Sequence, residues 1–399
     1  MRRLYFWGGG DEAEKLIKRN PLWLGFLDAI VESKKLKFEL PQCARGGDKG
    51  VRVIHPGEVD WGDGSIFFVV STRTYYDEVA GILRGHGREE ARDFIGVDDA
   101  WRRCLVFALG LDLLRVQRFM ACMRDYKKWI PNMNEIIPSN IEHFVSFVRE
   151  GGNVDEALLS CCADEGRRTV TLDGAVMEYE NLHDFSIICR ELLVREEDYF
   201  DCEGDEPFVI DGGANVGLAI YYFLHEHPGA RIVAFEPNPK NFDVLRRNIE
   251  RNKWDKVTAY PYALSGAEGE LSFYTQECGL AGSLTKRNFE NVDIGTISEI
   301  RVPAVRLSKY IDCPVDYLKL DIEGSETLVM EEIEDKLDMV SHVTIEFHDG
   351  PGKGHNFISS VTGILERHGF AVNIYGFAEM RRPMERVGHR VSEVIFARR

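Results

Sequence analysis

The feature that most limits the fold is the run Phe208-Val209-Ile210-Asp211-Gly212-Gly213-Ala214-Asn215-Val216-Gly217, in which three apolar β-formers lead straight into a glycine-rich turn. Val216, Ala219, Ile220, Phe223 and Leu224 then recur at i, i+3, i+4, i+7 and i+8, one apolar stripe of a helix that His227-Pro228-Gly229 ends. Arg231–Phe235 reads as the next strand, closed by Glu236-Pro237, and Asn238 followed by Pro239 is a strong helix start. Further strands are expected at Val257–Tyr260, Glu270–Tyr274, Arg301–Val305, Tyr317–Leu320, Val343–Phe347, Ala371–Tyr375 and Val391–Ala397. Strands alternating with helical segments specify an α/β domain built on a largely parallel sheet.

A tight strand-to-helix turn lets a ligand lie against bare backbone at the carboxyl edge of such a sheet. Gly213 and Gly217 clear that approach, and Asp211 can accept hydrogen bonds from a ligand ammonium or from water. Glu236 follows Asp211 by 25 residues, near the roughly 20-residue spacing of an acid that binds ribose hydroxyls. Pro237 biases Glu236 toward extended backbone. A dinucleotide site wants G-x-G-x-x-G to seat a pyrophosphate on the helix N-terminus. The turn here reads D-G-G-x-x-x-G, which suits a cofactor with an amino-acid tail and no phosphate, S-adenosylmethionine. A purely structural turn, with Glu236 a solvated strand end, is the bland alternative.

The segments V-I-D-G-G-A-N-V-G, A-F-E-P-N-P, Y-A-L-S-G (residues 262–266), L-K-L-D-I-E-G-S-E and T-I-E-F-H together resemble the FkbM-type methyltransferases over residues 205–399. The resemblance implies a Rossmann-like, seven-stranded methyltransferase sheet, S-adenosylmethionine as cofactor, and a hydroxyl of a sugar, glycan or secondary metabolite as acceptor. It implies that Asp211, Gly213, Asn215 and Gly217 line the methionine end, with Gly212, Ala214 and Asn238 beside them. Glu236 would hold the ribose, the backbone near Ala263 the adenine, and Asp321 would also face the cofactor.

Two later strands end in carboxylates: Asp321-Ile322-Glu323-Gly324-Ser325-Glu326 after Leu320, and Glu346-Phe347-His348-Asp349. If these strands are neighbours, Asp321, Glu346 and His348 converge on the cofactor edge. Methyl transfer to a hydroxyl needs alignment and removal of one proton, so His348 is expected as base, with Asp321 orienting acceptor or cofactor. The same three groups could hold a divalent metal, but their spacing matches no fixed signature, and a metal-free site is preferred. Glu326 reads as a residue that only favours a helix N-terminus. Residues 277–299 break the strand pattern and are nominated as an acceptor lid. Residues 178–200, with His183, Phe185 and Tyr199, could close over the site or simply pack.

The rest of the chain is read more coarsely. Leu4–Trp7, Trp23–Leu27, Val51–Ile54 and Ser65–Val70 suggest a smaller Rossmann-like α/β domain over 1–98, with helices after Gly10 and Thr74. Gly8-Gly9-Gly10 invites a nucleotide site with Asp28 as ribose acid, but Ala13 stands where the third glycine would be, so a structural or substrate-positioning role is preferred. Residues 99–165 read as a helical connector, leaving 166–399 as the methyltransferase-like domain. Net charge is −17, of which residues 1–165 carry −3. That leaves no basic footprint for nucleic acid or anionic membrane and favours a neutral or cationic acceptor. Nine cysteines without a C-x-x-C pair, and no long apolar run, point to a reduced, cytoplasmic setting without membrane spans. An NAD-dependent oxidoreductase and a non-catalytic sugar-nucleotide scaffold are the open alternatives.

Overall fold

A computed structural model describes residues 3–7, 27–31, 52–63, 66–70, 76–88, 94–96, 113–133, 136–137, 140–276, 282–283, 297–349, 358–376 and 391–399. The chain divides into two compact units, Met1–Ala163 and Asp164–Arg399.

In the first unit β1 (Arg3–Trp7), β2 (Leu27–Val31), β3 (Arg52–Ile54), β4 (Ile66–Val70) and β5 (Phe94–Gly96) form a parallel sheet in the order β3-β2-β1-β4-β5. Ala29, Ile30, Val31, Phe68, Val69 and Val70 are fully buried, and α1 (Tyr76–Gly85) follows β4. Of the strand expected at Trp23–Leu27, residues 23–26 lie outside the described residues, and Leu27 opens β2. Asp28 is therefore the second residue of β2, at its amino end, while ligands sit at carboxyl ends in such sheets. That removes it as a ribose acid. The Gly8–Gly10 turn and Ala13 lie outside the described residues. Helices α2 (Leu113–Asp125), α3 (Ile141–Arg149) and α4 (Val154–Cys162) belong to this unit. Asp155 pins α4 to α2 by accepting from Arg118 at 2.7 Å and from the Cys122 thiol at 3.3 Å.

The second unit follows the short β6 (Ala163–Asp164) and opens on a hairpin of β7 (Thr169–Leu172) and β8 (Ala175–Glu178). Then come α5 (Leu182–Cys189), one π-helical turn (Arg190–Val194), β9 (Phe208–Gly212), α6 (Leu218–Glu226), β10 (Arg231–Phe235), α7 (Pro239–Asn252) and β11 (Val257–Tyr260). The sheet continues with β16 (Val315–Leu320), β17 (Val340–Asp349), β18 (Ala371–Gly376) and β19 (Val391–Arg398), with α8 (Glu326–Glu332) and α9 (Ile358–Arg367) between them. Its order is β11-β10-β9-β16-β17-β19-β18, parallel except for β19, which runs antiparallel to both neighbours. This is the seven-stranded sheet expected from the sequence. The order reverses between β9 and β16, and a crevice opens there at the carboxyl ends.

Period-two alternation splits β16 between two environments. Leu318 and Leu320 join the aliphatic core with Ile210, Val343 and Ile345. Tyr317 faces the other way into an aromatic cluster, its ring 4.5 Å from that of Phe200 and 5.3 Å from that of Phe223. Helix α6 is buried from Leu218 through Phe223, on more faces than its one expected stripe. The strands at Glu270–Tyr274 and Arg301–Val305 form a separate sheet: β12 (Ala263–Leu264), β13 (Gly269–Gln276), β14 (Gly282–Ser283) and β15 (Ile297–Val305). The nominated 277–299 lid is thereby shortened at two places. Gly282–Ser283 and Ile297–Glu299 pair with β13, and the rest lies outside the described residues. Among the described residues, no helix is long and apolar enough to cross a membrane.

Candidate functional site at the carboxyl edge of the sheet

The turn after β9 is held in place by backbone. Gly213 and Ala214 both donate to the Phe235 carbonyl at 2.9 Å, and Asp321 N–H donates to the Gly212 carbonyl at 2.9 Å. Gly213 has φ +86°, and a Cβ there would stand 1.8 Å from the Asp321 carbonyl oxygen. Only glycine admits this approach. Asn215, also left-handed at φ 50°, presents its backbone N–H to Glu236 Oε2 at 2.8 Å. Glu236 Oε1 accepts from Asn238 N–H at 2.7 Å. The acid read as a ribose ligand thus also staples the turn to the start of α7. Burial pushes its carboxyl up to about 7, against the two backbone N–H groups that favour the charged form.

Two adjoining cavities open here. The smaller, about 70 Å³, is lined by Gly213, Asn215, Phe235, Glu236, Tyr262, Ala263, Asp321 and Glu323 among others. The larger, about 280 Å³, shares Gly213, Asn215, Asp321 and Glu323, and adds Ala214, Lys319, Thr344 and Glu346. The residues expected at a cofactor therefore separate. Gly213, Ala214, Asn215, Glu236, Ala263 and Asp321 line a cavity, whereas Asp211, Gly212, Gly217 and Asn238 line neither. Asn238 caps α7 by accepting from Lys240 N–H at 3.1 Å. Gly217, at φ +90°, caps α6, and a Cβ there would meet Leu245 at 2.7 Å. Asp211 is fully buried beneath the turn, with both carboxylate oxygens lacking a hydrogen-bond partner. Burial pushes it up to about 7, although Lys319 draws it down.

Strands β16 and β17 do pair, at the register Lys319↔Thr344, and this brings Asp321, Glu346 and His348 together. His348 is buried among three glutamates. Its Nδ1 lies 3.3 Å from Glu326 Oε1, and its Nε2 lies 3.3 Å from Glu346 Oε1 and 3.8 Å from Glu323 Oε1. Burial alone would lower its pKa, but the carboxylates hold it well above the usual imidazole range. Those carboxylates favour the protonated ring over the neutral one that a general base requires. Glu326 is correspondingly more than a helix-end acid: it is fully buried and accepts Gly324 N–H through both oxygens at 3.0 and 3.1 Å. Glu323 stands in the left-handed region at φ 56°, backbone strain of the kind that clusters at functional sites.

Asp321 lines both cavities and lies 3.4 Å from Lys319 Nζ. Desolvation and the neighbouring Glu346 raise its pKa, while Lys319 and His348 oppose the rise. For a metal, the compact set is Asp321, Glu323 and His348, whose ligand atoms lie within 4.8 Å of one another; Glu346 is not in it. Imidazole nitrogens bonded to carboxylates on both sides would have to lose a proton first.

The far wall of the larger cavity falls within residues 178–200, the stretch read from the sequence as closing over the site or simply packing: Asp184, Ile187, Ile188, Glu191 and Leu192, followed by Glu197 and Asp198. The first five fall at i, i+3, i+4, i+7 and i+8, a helical face. Of the residues named in that reading, Phe185 is fully buried packing and Tyr199 is exposed, and neither lines the cavity.

Comparison with known proteins bears on what this edge does. The methyltransferase FkbM domain model matches residues 211–390. Methyltransferase 1 of Beauveria bassiana is 30% identical over 189 residues, covering 43% of this chain and 74% of that protein. The 31-O-demethyl-FK506 methyltransferase FkbM of Streptomyces tacrolimicus is 31% identical over 195 residues, 41% of this chain and 72% of that protein. Hexuronic acid methyltransferase AglP of Haloferax volcanii is 29% identical over 157 residues, 37% of this chain and 59% of that protein. The matched stretch 211–390 contains the turn, the stapling acid and the carboxylate cluster. The chain belongs to the FkbM methyltransferase family.

Proposed function

We propose that the C-terminal domain, read as residues 166–399, is an S-adenosylmethionine-dependent methyltransferase acting on a hydroxyl of a sugar, glycan or secondary metabolite. The observation that carries this reading is the pair of adjoining cavities at the switch point, which share Gly213, Asn215, Asp321 and Glu323. Such a pair suits a donor and an acceptor meeting at one boundary. The cradle fits an amino-acid-tailed nucleoside. Gly213 gives bare backbone, Asn215 Oδ1 is buried without a partner, and Glu236 retains lone pairs for ribose hydroxyls. When bound, S-adenosylmethionine supplies an electrophilic methyl group.

The protein's own contribution is alignment and proton removal. Asp321, present in both linings and with a raised pKa, is the proposed acceptor of the hydroxyl proton. Lys319 and the His348 imidazolium hold Asp321 and Glu346 in place and temper their mutual repulsion. The names of two relatives, a 31-O-demethyl-FK506 and a hexuronic acid methyltransferase, support a hydroxylated acceptor.

Calorimetric titration with S-adenosylmethionine, followed by an acceptor screen for the mass gain of one methyl group, tests the reading. Binding of NADH instead would revive hydride transfer, and binding without any methylated product would favour the scaffold.

A further inference from the structure

The larger cavity carries more carboxylates than the single ammonium of S-adenosylmethionine can partner. Glu236, Asp321 and Glu323 face the smaller cavity, but Asp184, Glu191, Glu197, Asp198 and Glu346 line only the larger one. Among the described residues the cation in the larger lining is Lys319, already 3.4 Å from Asp321. Glu197 is paired with the half-exposed Arg195 at 3.0 Å, and Glu346 with His348 at 3.3 Å. Asp198 is 2% exposed and fixed to the sheet floor, where its Oδ1 accepts from Tyr317 Oη at 3.0 Å. Its Oδ2 is buried with no partner while the residue lines the cavity. A buried carboxylate oxygen left unsatisfied is costly unless a donor arrives.

Resting on the methyl-transfer reading above, we infer that the larger cavity is the acceptor subsite and selects an acceptor carrying a protonated amine near its hydroxyl, over neutral or uronic-acid analogues. Asp198 and Glu191 take the ammonium, and Ile187, Ile188, Leu192 and Val394 cover the acceptor's apolar side. A volume of about 280 Å³ is close to the lower end of small-ligand sites, so the enclosed part is of monosaccharide size.

Protonation agrees with this geometry. Burial, then Glu346, Glu197 and Asp321, push Glu191 up to about 8. Burial pushes Asp198 up to about 6. Lys319 lowers the Asp198 value and Arg195 that of Glu191, and both stay raised; carboxyls that retain protons in this way can exchange them for an ammonium. The wall also precedes residue 211, where the family match begins. Selectivity for the acceptor would thus be carried by α5 and the π-turn, outside the matched domain. A π-turn inside a helix is frequent at functional sites.

The test uses the full chain saturated with S-adenosylhomocysteine. Methyl 2-amino-2-deoxyglucoside, its N-acetyl derivative and methyl glucuronide are titrated by calorimetry. So are 3-amino-1,2-propanediol and glycerol, so that no sugar scaffold is assumed. At least one amine should bind about tenfold or more tighter than its uncharged partner, the scale of one charged hydrogen bond. Glu191→Gln, at a partly exposed position that tolerates the change, and Asp198→Asn should each shrink that preference. S-adenosylhomocysteine binding to each variant reports whether it is folded. Equal or tighter binding of the glucuronide, or no amine binding, overturns the inference. So does Mn²⁺ binding that excludes the amines and is lost in Glu191→Gln, which would make the cavity a metal site. Amine selectivity in a protein that does not bind S-adenosylhomocysteine would sink the cofactor reading and leave this one standing.

Discussion

At Glu236 one carboxylate does two jobs, and separating them is a test of both. Its oxygens accept from Asn215 and Asn238 N–H at 2.8 and 2.7 Å while the side chain also lines the smaller cavity. Glu236→Ala should weaken S-adenosylmethionine binding by about 1–3 kcal/mol, since it removes the ribose acceptors and releases the turn. Equal affinities by calorimetry would remove the assignment. Asp321 and His348 call for kinetics instead. Asp321→Asn should lower turnover roughly 10²–10⁴-fold with cofactor affinity near that of the wild type. The rate should rise with pH through a carboxyl pKa set by the groups facing Asp321: Glu346 and Glu326 raise it, Lys319 and His348 lower it. His348→Gln removes one cation, so the rising limb should move to higher pH and persist. Were His348 the base, the limb would vanish. The residues themselves were legible because each sits at a strand end. The surroundings of His348 were legible only in part, because Glu346 shares its strand whereas Glu323 and Glu326 reach it through the β16–β17 pairing and α8.

Among elements, legibility followed the locality of the signal. The β9–α6–β10–α7 run was readable because strand, glycine turn, cap and apolar stripe all lie within consecutive residues. The four-stranded side sheet was not, since β13 and β15 look like any other strands and only long-range pairing removes them from the main sheet. The hairpin contact with α7 was equally hidden. Asn248, fully buried, accepts from Glu178 N–H at 2.8 Å and donates to the Glu178 and Val216 carbonyls at 3.0 and 2.8 Å. It ties hairpin, glycine turn and helix together with one side chain. Asn248→Ala should cost about 1–3 kcal/mol or more by leaving buried backbone groups unsatisfied, measurable by urea unfolding. Gly213→Ala should act at the same junction. Its Cβ meets the Asp321 carbonyl, so β9 and β16 must part, lowering both thermal stability and cofactor affinity. A Gly213→Ala protein with both properties unchanged would show that the turn does not approach Asp321 as described.

For the whole molecule, acidity has two components with different reach. Beside the solvent-facing charge that contributes to the net −17, Asp198 and Glu191 in the wall of the larger cavity, Glu236 in that of the smaller and Asp211 beneath the turn have pKa values raised to about 6, 8, 7 and 7. Burial is the first cause in each case, and the neighbouring carboxylates Asp321, Glu197 and Glu346 add to it, with Lys319 and Arg195 as the opposing charges. Unfolded carboxyls titrate near pH 4. Between about pH 4 and pH 8 the folded chain therefore binds more protons than the unfolded one, and stability falls as pH rises through that window. The ligand-free protein should accordingly melt at a progressively lower temperature from pH 5 to pH 8. Surface self-repulsion predicts the same sign, but it is screened to about 3 Å at 1 M salt, while the buried cluster is screened much less. The slope should thus persist in 1 M sodium chloride and flatten in Asp198→Asn, which removes one of the titrating groups. A slope abolished by salt and untouched by Asp198→Asn would assign the pH sensitivity to the surface and deny these carboxyls their protons.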